Sequence, residues 1–550
     1  MERLNRNAPA LLLAAALVAA AAMTLVLSRD MTFFQDTWSY LITRREITVD
    51  TVLQPHNEHI VVIPVLIEQL FLRLFGMTSA TPEYVLLTIL LVATVFLLYV
   101  YVRRRVGPWL ALFASILILC IGPAWEVLLW PFEISLVGSV FFGLAMLLAF
   151  EREDRRADIA ACLFLTLSVG FSSLGIPFIA AAAVAVLQGP REAWLRRAYI
   201  FAIPAVLFAA WYLGWGHEAE SGMSLRNLLA SPRFVADTIA VALGSLVGLG
   251  PAPGGTSGDP LWGRALLVAL VVVLGFRQLR KPGVFPGLWP VAAAAATNWF
   301  LTAFNQIPGR DPTSSRYQYV GAIFIVLILA NLLKGVRLSR SALIVAGAVT
   351  VLAVGPNLII LDDGREILDR EAIYTRADGA AIEIARGTVD PEFQLNPEVA
   401  GTPSLINIYA GPYLEAVDEY GSPAYSVEEL ISAPEEGRRQ ADIVLSQALP
   451  LSMVTSLAAY TGSGGRDCVA LAPGDAGDRE VELDAGRTRI EIAPGPHAEL
   501  TLRRFATGEY PVVSEGAPGD SVTLLEIPRD ESTQPWYLHV EASQLARVCR

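Results

Sequence analysis

Up to Leu361 this chain is a succession of apolar runs of about 15 to 20 residues, the length an α-helix needs to cross a bilayer's hydrocarbon core, and beyond Leu361 no such run appears. In hydrocarbon every backbone polar group must be satisfied within the segment itself, so the first part of the chain can only be a bundle of spanning helices. The runs are 8–27, 84–102, 108–121, 134–150, 159–170, 174–187, 198–215, 261–276, 288–304, 319–333 and 342–361. The expected fold is therefore a polytopic α-helical membrane domain of about eleven spans over residues 1–361.

With the N-terminus inside, the basic clusters Arg103 to Arg105, Arg152 to Arg156, Arg191 to Arg197, Arg277 to Lys281 and Lys334 to Arg340 all fall on the cytoplasmic face. This parity needs two local assignments. Ile60 to Phe75 contains Glu68, Gln69 and Arg73, and charges at a helix centre cost about 2.5 to 3.5 kcal/mol each on insertion scales, so it is laid along the outer interface as an amphipathic helix. Phe234 to Leu249 is treated in the same way. The first run follows a basic start, Met1 to Arg6, and reads as an uncleaved anchor; signal cleavage would leave Arg29 onward on the same outer face.

From Asp362 onward the chain holds 33 acidic and 15 basic residues, which is more than the whole formal charge of −12. An acidic tail excludes nucleic acid as a natural partner and suits solubility outside the membrane. Residues 362–455 read as a helical extracytoplasmic segment. Residues 456–550 carry the alternating runs VELDAG, TRIEIAPG, AELTLRRF, SVTLLEI and WYLHVEAS of an antiparallel, sandwich-like domain. Cys468 and Cys549 both lie there, and outside the cytoplasm they can pair and close a loop of about 80 residues; Cys120 and Cys162 fall in apolar helices as buried thiols.

The polar chemistry gathers in the outer loops, since none of the first seven spans contains a charged residue. That pattern disfavours a transporter, which keeps ionisable groups at membrane depth. Asp36 lies in FFQDTWSY just beyond the first span. A carboxylate there can take a proton from an acceptor hydroxyl arriving from water while a lipid-linked donor arrives from the membrane; the alternative is a solvated loop aspartate or a helix N-cap. His56, Glu58 and His59 have a spacing that suits acceptor binding or a divalent cation, or simply a polar loop. Glu126 and Glu133 form the second outer loop, where Glu133 either orients an acceptor hydroxyl, helps hold a cation, or is an ordinary interface carboxylate. Arg310, Asp311, Arg316, Tyr317 and Tyr319 form a late outer loop. A guanidinium there can hold a phosphate bidentately, or snorkel to headgroups.

Asp36 to Tyr40 soon after the first span, the His56 to Pro64 turn, Leu74 to Gly76, a span closing on Tyr101 to Arg105, and the later Ser315 to Val320 together resemble the GT-C glycosyltransferases, in particular the protein O-mannosyltransferase and aminoarabinose-transferase branch. The resemblance covers roughly the first 150 residues well, is patchy to about Leu333 and is absent from the tail. It implies inverting transfer of a sugar from a polyprenyl-phosphate carrier, with Asp36 as base, Glu133 at the acceptor and Arg316 on the phosphate. Two departures are visible: Thr37 stands where many relatives have a second acid, and a double proline is reduced to Pro64.

The expected function is thus transfer of a sugar, on the outer face of the plasma membrane, from a polyprenyl-phosphate donor to a glycan, lipid or protein acceptor. Substrate contacts fall to His56, Glu58, His59, Arg310, Arg316 and Tyr317, and metal use varies within the superfamily. The competing expectation is a non-catalytic envelope protein that binds a lipid or a partner on the same scaffold.

Overall fold

The computed structural model describes residues 2–550 apart from 153, 220, 254–259, 281–286, 337, 396–404, 406–407, 458–467, 473–479 and 508–512. Lys281 and Arg337, members of two basic clusters, lie outside the described residues. The chain forms two compact units, one of residues 1–30, 46–71 and 81–367, the other of 31–45, 72–80 and 368–550.

In the first unit each of the eleven apolar runs becomes a helix. Among the described residues seven helices are long and apolar enough to cross a membrane, or nine when two bent pairs are each one span. Three of the runs make shorter helices: Arg155–Phe171 and Leu288–Phe304 have 17 residues each and Gly175–Leu187 has 13. Helices at the edge of the unit leave Val268, Val271 and Val272 exposed, as a hydrocarbon-facing surface requires.

The segment laid along the interface at Phe234 to Leu249 belongs to a 22-residue helix, Leu225–Leu246, that is by length and composition apolar enough to cross and packs on the Leu261–Arg280, Leu288–Phe304 and Ser315–Leu332 helices. Its Asp237 takes Arg264 Nε at 2.7 Å and Arg233 Nε at 3.7 Å, so the one carboxylate of the helix is paired. The Val62–Phe75 helix has 14 residues, about 21 Å, and buries Glu68 and Gln69 while exposing Leu66 and Leu70. Its polar side therefore faces inward, the reverse of an interfacial helix with its charges in water.

The Pro108–Leu119 helix breaks and continues, bent by 52°, into Gly122–Leu129. Gly122 sits so close to the last long helix that a Cβ there would lie 1.9 Å from the Asn357 carbonyl oxygen. Its N–H donates to Asn357 Oδ1 at 3.2 Å, and Asn357 Nδ2 donates to the Ser245 carbonyl at 3.0 Å. Three helices are locked at this break, which fixes the start of the loop that carries Glu126 and Glu133. The last helix, Arg340–Ile384, runs for 45 residues straight through the boundary expected at Leu361. Gly355, Pro356 and Gly364 all lie within it, and a single glycine costs about 1 kcal/mol without ending a helix.

The second unit ends in two antiparallel sheets. One orders its strands β1 (Ser452–Ser456), β7 (Ser521–Ile527), β4 (Gly486–Ile492), β9 (Ala546–Cys549), β2 (Cys468–Leu471); the other orders β3 (Glu480–Leu483), β8 (Trp536–Glu541), β5 (Ala498–Arg503), β6 (Val513–Ala517). Burial alternates along β3, β5 and β8, with Leu483, Leu500, Leu502, Leu538 and Val540 buried, as strands with one face on a core require. Cys468 and Cys549 lie opposite each other on β2 and β9, their Cα atoms 4.0 Å apart, and a disulfide joins them across 81 residues. A loop of that length corresponds to about 4 kcal/mol in the chain-entropy account.

Candidate functional site

The polar loops of the first unit converge. His56 to His59 makes a tight hairpin turn in which the His59 N–H donates to the His56 carbonyl at 2.9 Å and the His56 N–H donates back at 3.0 Å. Asn57 takes the left-handed φ of 50° that this turn demands, a conformation asparagine tolerates better than most residues. Directly paired residues project to one side, so both imidazoles share a face. Ser173, in the break between two short helices, pins the turn: its hydroxyl accepts from the Ile60 N–H at 3.1 Å and donates to the Glu58 carbonyl at 3.3 Å.

Glu58 is then seized from 252 residues away. Arg310 donates through both terminal nitrogens, Nη1 to Oε1 and Nη2 to Oε2, the latter at 3.0 Å. Burial pushes the Glu58 carboxyl up, but His59 and the Arg310 guanidinium outweigh it and hold it below the ordinary carboxylate range. His59 Nε2 lies 3.6 Å from Glu58 Oε1. Burial lowers its pKa to about 4; Glu58 opposes the shift, while Arg310, Arg316 and His56 add to it. The ring keeps 43% of its side-chain surface accessible, yet its Nδ1 edge is buried without a hydrogen-bond partner, so the neutral form is the one the fold holds.

This has a measurable consequence. Between pH 6.5 and about 4 the unfolded chain protonates His59 and the folded chain does not, so stability falls as pH is lowered through that window. His59→Gln is expected to flatten that part of the profile in thermal unfolding scans, leaving only the decline below the usual carboxylate range where the Glu58–Arg310 pair is lost. An identical slope in the variant would show that His59 contributes nothing.

The second half of the cluster is Arg316 with the two glutamates. Its Nε lies 3.7 Å from Glu126 Oε2 and 4.0 Å from Glu133 Oε1, both beyond hydrogen-bonding reach, and its side chain is 35% exposed. Ser315 Oγ accepts from the Glu126 N–H at 3.1 Å, which ties the start of the Ser315–Leu332 helix to the second outer loop. Phe132 bridges the two halves by packing on His56 at 5.1 Å and stacking on Trp130 at 5.0 Å between ring centroids. Tyr317 stands edge-on to Phe234 at 6.4 Å.

His56, Glu58, His59, Glu126, Glu133, Arg310 and Arg316 therefore form one assembly. Arg310 and Glu58, both expected substrate contacts, hold each other through a two-pronged pair. The same contact bears on the divalent-cation reading of His56 and His59: a guanidinium sits on the Glu58 oxygens that a cation would need. Among the described residues no three His, Cys, Asp or Glu side chains gather as a metal-binding group. Ser173 and Phe132 were not singled out in the sequence; their only signal is a serine in a break between two apolar helices and an aromatic beside Glu133.

Asp36 belongs to the second unit. It opens a one-turn helix, Asp36–Trp38, that continues as a π-helical turn, Ser39–Thr43. Gln35, directly before it, is held at φ 42°, a strained value for a residue with a side chain. Buried Trp38 packs edge-on against Phe33 at 5.6 Å and Tyr413 at 5.9 Å, and Arg45 reaches Glu415 at 2.9 Å, so the Asp36 turn is fastened to the Ala410–Tyr420 helix of its own unit.

No protein-family model and no curated protein matches the chain. Among solved structures, ArnT from Cupriavidus metallidurans bound to undecaprenyl phosphate is similar at 13% identity and TM-score 0.41, covering 80% of this chain and 92% of that one. The Archaeoglobus fulgidus oligosaccharyltransferase in its apo form is similar at 14% identity and TM-score 0.40, covering 80% and 69%, and its complex with Zn and sulfate at 16% identity and TM-score 0.37, covering 80% and 67%.

Proposed function

We propose that this chain is a GT-C-type glycosyltransferase of the plasma membrane that moves a sugar, with inversion, from a polyprenyl-phosphate carrier to a glycan, lipid or protein acceptor on the outer face. The observation that carries the reading is Arg316, a guanidinium 35% exposed within the polar assembly, its Nε 3.7 Å from Glu126 and 4.0 Å from Glu133. A guanidinium can hold a phosphate bidentately, and it stabilises the charge that develops on the departing lipid phosphate. Phosphate leaves readily, so no general acid is required.

Asp36 supplies the base, deprotonating the acceptor hydroxyl. Glu133, buried and next to Arg316, orients the acceptor, and the His56 to His59 turn, set by Arg310 and Ser173, shapes its side of the site. Tyr317 lines the donor side, and the outer sheets recognise the acceptor. The basic clusters Arg103 to Arg105, Arg152 to Arg156 and Arg191 to Arg197, which precede the Leu225–Leu246 helix, support an outer location for this assembly.

Undecaprenyl phosphate is the probe that tests the reading. Charge-assisted hydrogen bonds contribute about 1.5 to 3 kcal/mol, so Arg316→Ala is expected to weaken its binding to the detergent-purified chain about 10- to 100-fold, with Arg316→Lys in between. Unchanged affinity in Arg316→Ala, measured by native mass spectrometry, would reject the assignment.

A further inference from the structure

A cavity of roughly 460 Å³ opens in the first unit far along the helices from the cluster described above. Its walls come from the C-terminal ends of Thr81–Val106, Ile134–Phe150 and Gly175–Leu187, from the N-terminal parts of Arg155–Phe171 and Leu288–Phe304, and from the short helix Arg191–Arg197. These are the ends where the basic clusters lie, the cytoplasmic face by the charge rule.

The cavity is divided by chemistry. Met146, Leu147, Ala181, Ala182 and Val291 line an apolar part, whereas Arg105, Arg196, Arg197, Glu151 and Asp158 line a charged part. Two of the three arginines are engaged. Arg105 gives Nη2 to Glu151 at 2.5 Å and Nε to Asn331 at 2.9 Å, and lies 3.4 Å over the Tyr101 ring. Arg197 gives Nη2 to Asp158 at 2.5 Å and stands 4.1 Å over Phe150. Its Nε, however, is buried and finds no acceptor. Arg196 is exposed and has no ion pair among the described residues. Three guanidinium groups against two carboxylates leave one positive charge on the cavity wall, and Arg197 keeps one buried donor unused.

The setting is that of a membrane boundary. The Arg191–Arg197 helix meets Tyr199–Gly214 at a 42° bend, exposes Leu195 almost completely, and places Arg191 against Trp194 at 6.0 Å. An indole beside arginines with a leucine turned outward is the composition of headgroup level. Basic pockets between helices on this side take phosphate-bearing headgroups.

We infer that this cavity is a binding site for the phosphate headgroup of an anionic lipid, with Arg196 and Arg197 Nε on the phosphate and the apolar wall along the upper acyl chain. The site is separate from the one proposed for sugar transfer and does not depend on it. It gives the bundle a lipid that ties the 191–197 helix to the neighbouring helix ends.

The test uses the full chain in neutral detergent with phosphatidylglycerol, phosphatidylcholine or inorganic phosphate added, read by native mass spectrometry and thermal unfolding. One phosphatidylglycerol is expected to remain bound and to raise the unfolding temperature, phosphatidylcholine to do neither, and Arg196→Ala to weaken retention about 10-fold. Arg196→Lys, which keeps the charge, is expected to retain most of the binding. Equal retention of the two lipids overturns the inference, as does an Arg196→Ala chain that holds phosphatidylglycerol unchanged. Protection by inorganic phosphate as strong as that by phosphatidylglycerol overturns the lipid assignment. None of these readouts involves sugar transfer, so a failure here and a failure of the transferase reading are distinguishable.

Discussion

Asp36→Asn is expected to lower sugar transfer about 10²- to 10⁴-fold while leaving the unfolding temperature of the chain unchanged. The substitution keeps the size of the side chain and one acceptor oxygen but removes the group that would take a proton from the acceptor hydroxyl. The change is isosteric, and the turn is anchored by Trp38 and Tyr40, both about 1% exposed, and by the Trp38–Tyr413 and Arg45–Glu415 contacts.

The left-handed Gln35 just before it is the kind of backbone outlier that persists only where packing over-determines the turn. A fixed base loses its rate with the carboxylate, and a mobile loop acid does not. Transfer would be followed as release of undecaprenyl phosphate from undecaprenyl-phosphate-linked sugars, with thermal unfolding in parallel. A variant that turns over at the parent rate removes Asp36 from the mechanism; a chain that binds undecaprenyl phosphate and never releases product in either form points to the non-catalytic alternative.

The parts of this protein that were legible in the sequence are those set by local composition. A run of 15 to 20 apolar residues has one low-energy conformation in lipid, so every expected run is a helix, and the alternating stretches in the tail are strands β3, β4, β5, β7 and β8. What escaped depends on partners far along the chain. The Arg264–Asp237 pair, which ties the Leu225–Leu246 helix to its neighbour, joins residues 27 apart and has no local signal. Glu58 and Arg310 were both singled out, but that one would clamp the other across 252 residues follows from helix packing alone.

Strands β1, β2, β6 and β9, of four or five residues each, carry too little alternation to announce themselves and exist through their pairings. The grouping of Asp36 with the tail rests on an aromatic contact between residues 38 and 413, for which no sequence pattern exists.

The largest stability effect expected is in the second unit, where Arg504→Ala should cost about 3 to 5 kcal/mol. Arg504 and Asp530 are a bidentate pair, Nη1 to Oδ2 at 2.7 Å and Nη2 to Oδ1 at 3.1 Å, with each side chain only 3% exposed. Removing the guanidinium leaves a carboxylate in a site that water hardly reaches. It also strips donors from two carbonyls, since Nε donates to Gln534 O at 3.0 Å and Nη2 to Gln534 O at 2.7 Å and Ser532 O at 3.2 Å.

The damage would stay local to the sheet edge, because Asp442 separately accepts the backbone N–H groups of Arg504, Phe505 and Ala506 at 2.9 to 3.0 Å and holds that turn to the Glu435–Ala448 helix. Arg504→Met with Asp530→Leu is therefore expected to recover part of the loss, since the stranded charge is gone, but not all of it, since the Ser532 and Gln534 carbonyls remain without donors. Urea unfolding of the full chain in detergent, read by protease nicking within the two sheets, gives the order parent, double variant, single variant. A single variant as stable as the parent would mean that the pair contributes nothing to holding the sheets, and a double variant as unstable as the single one would shift the whole effect from the charge to the carbonyls.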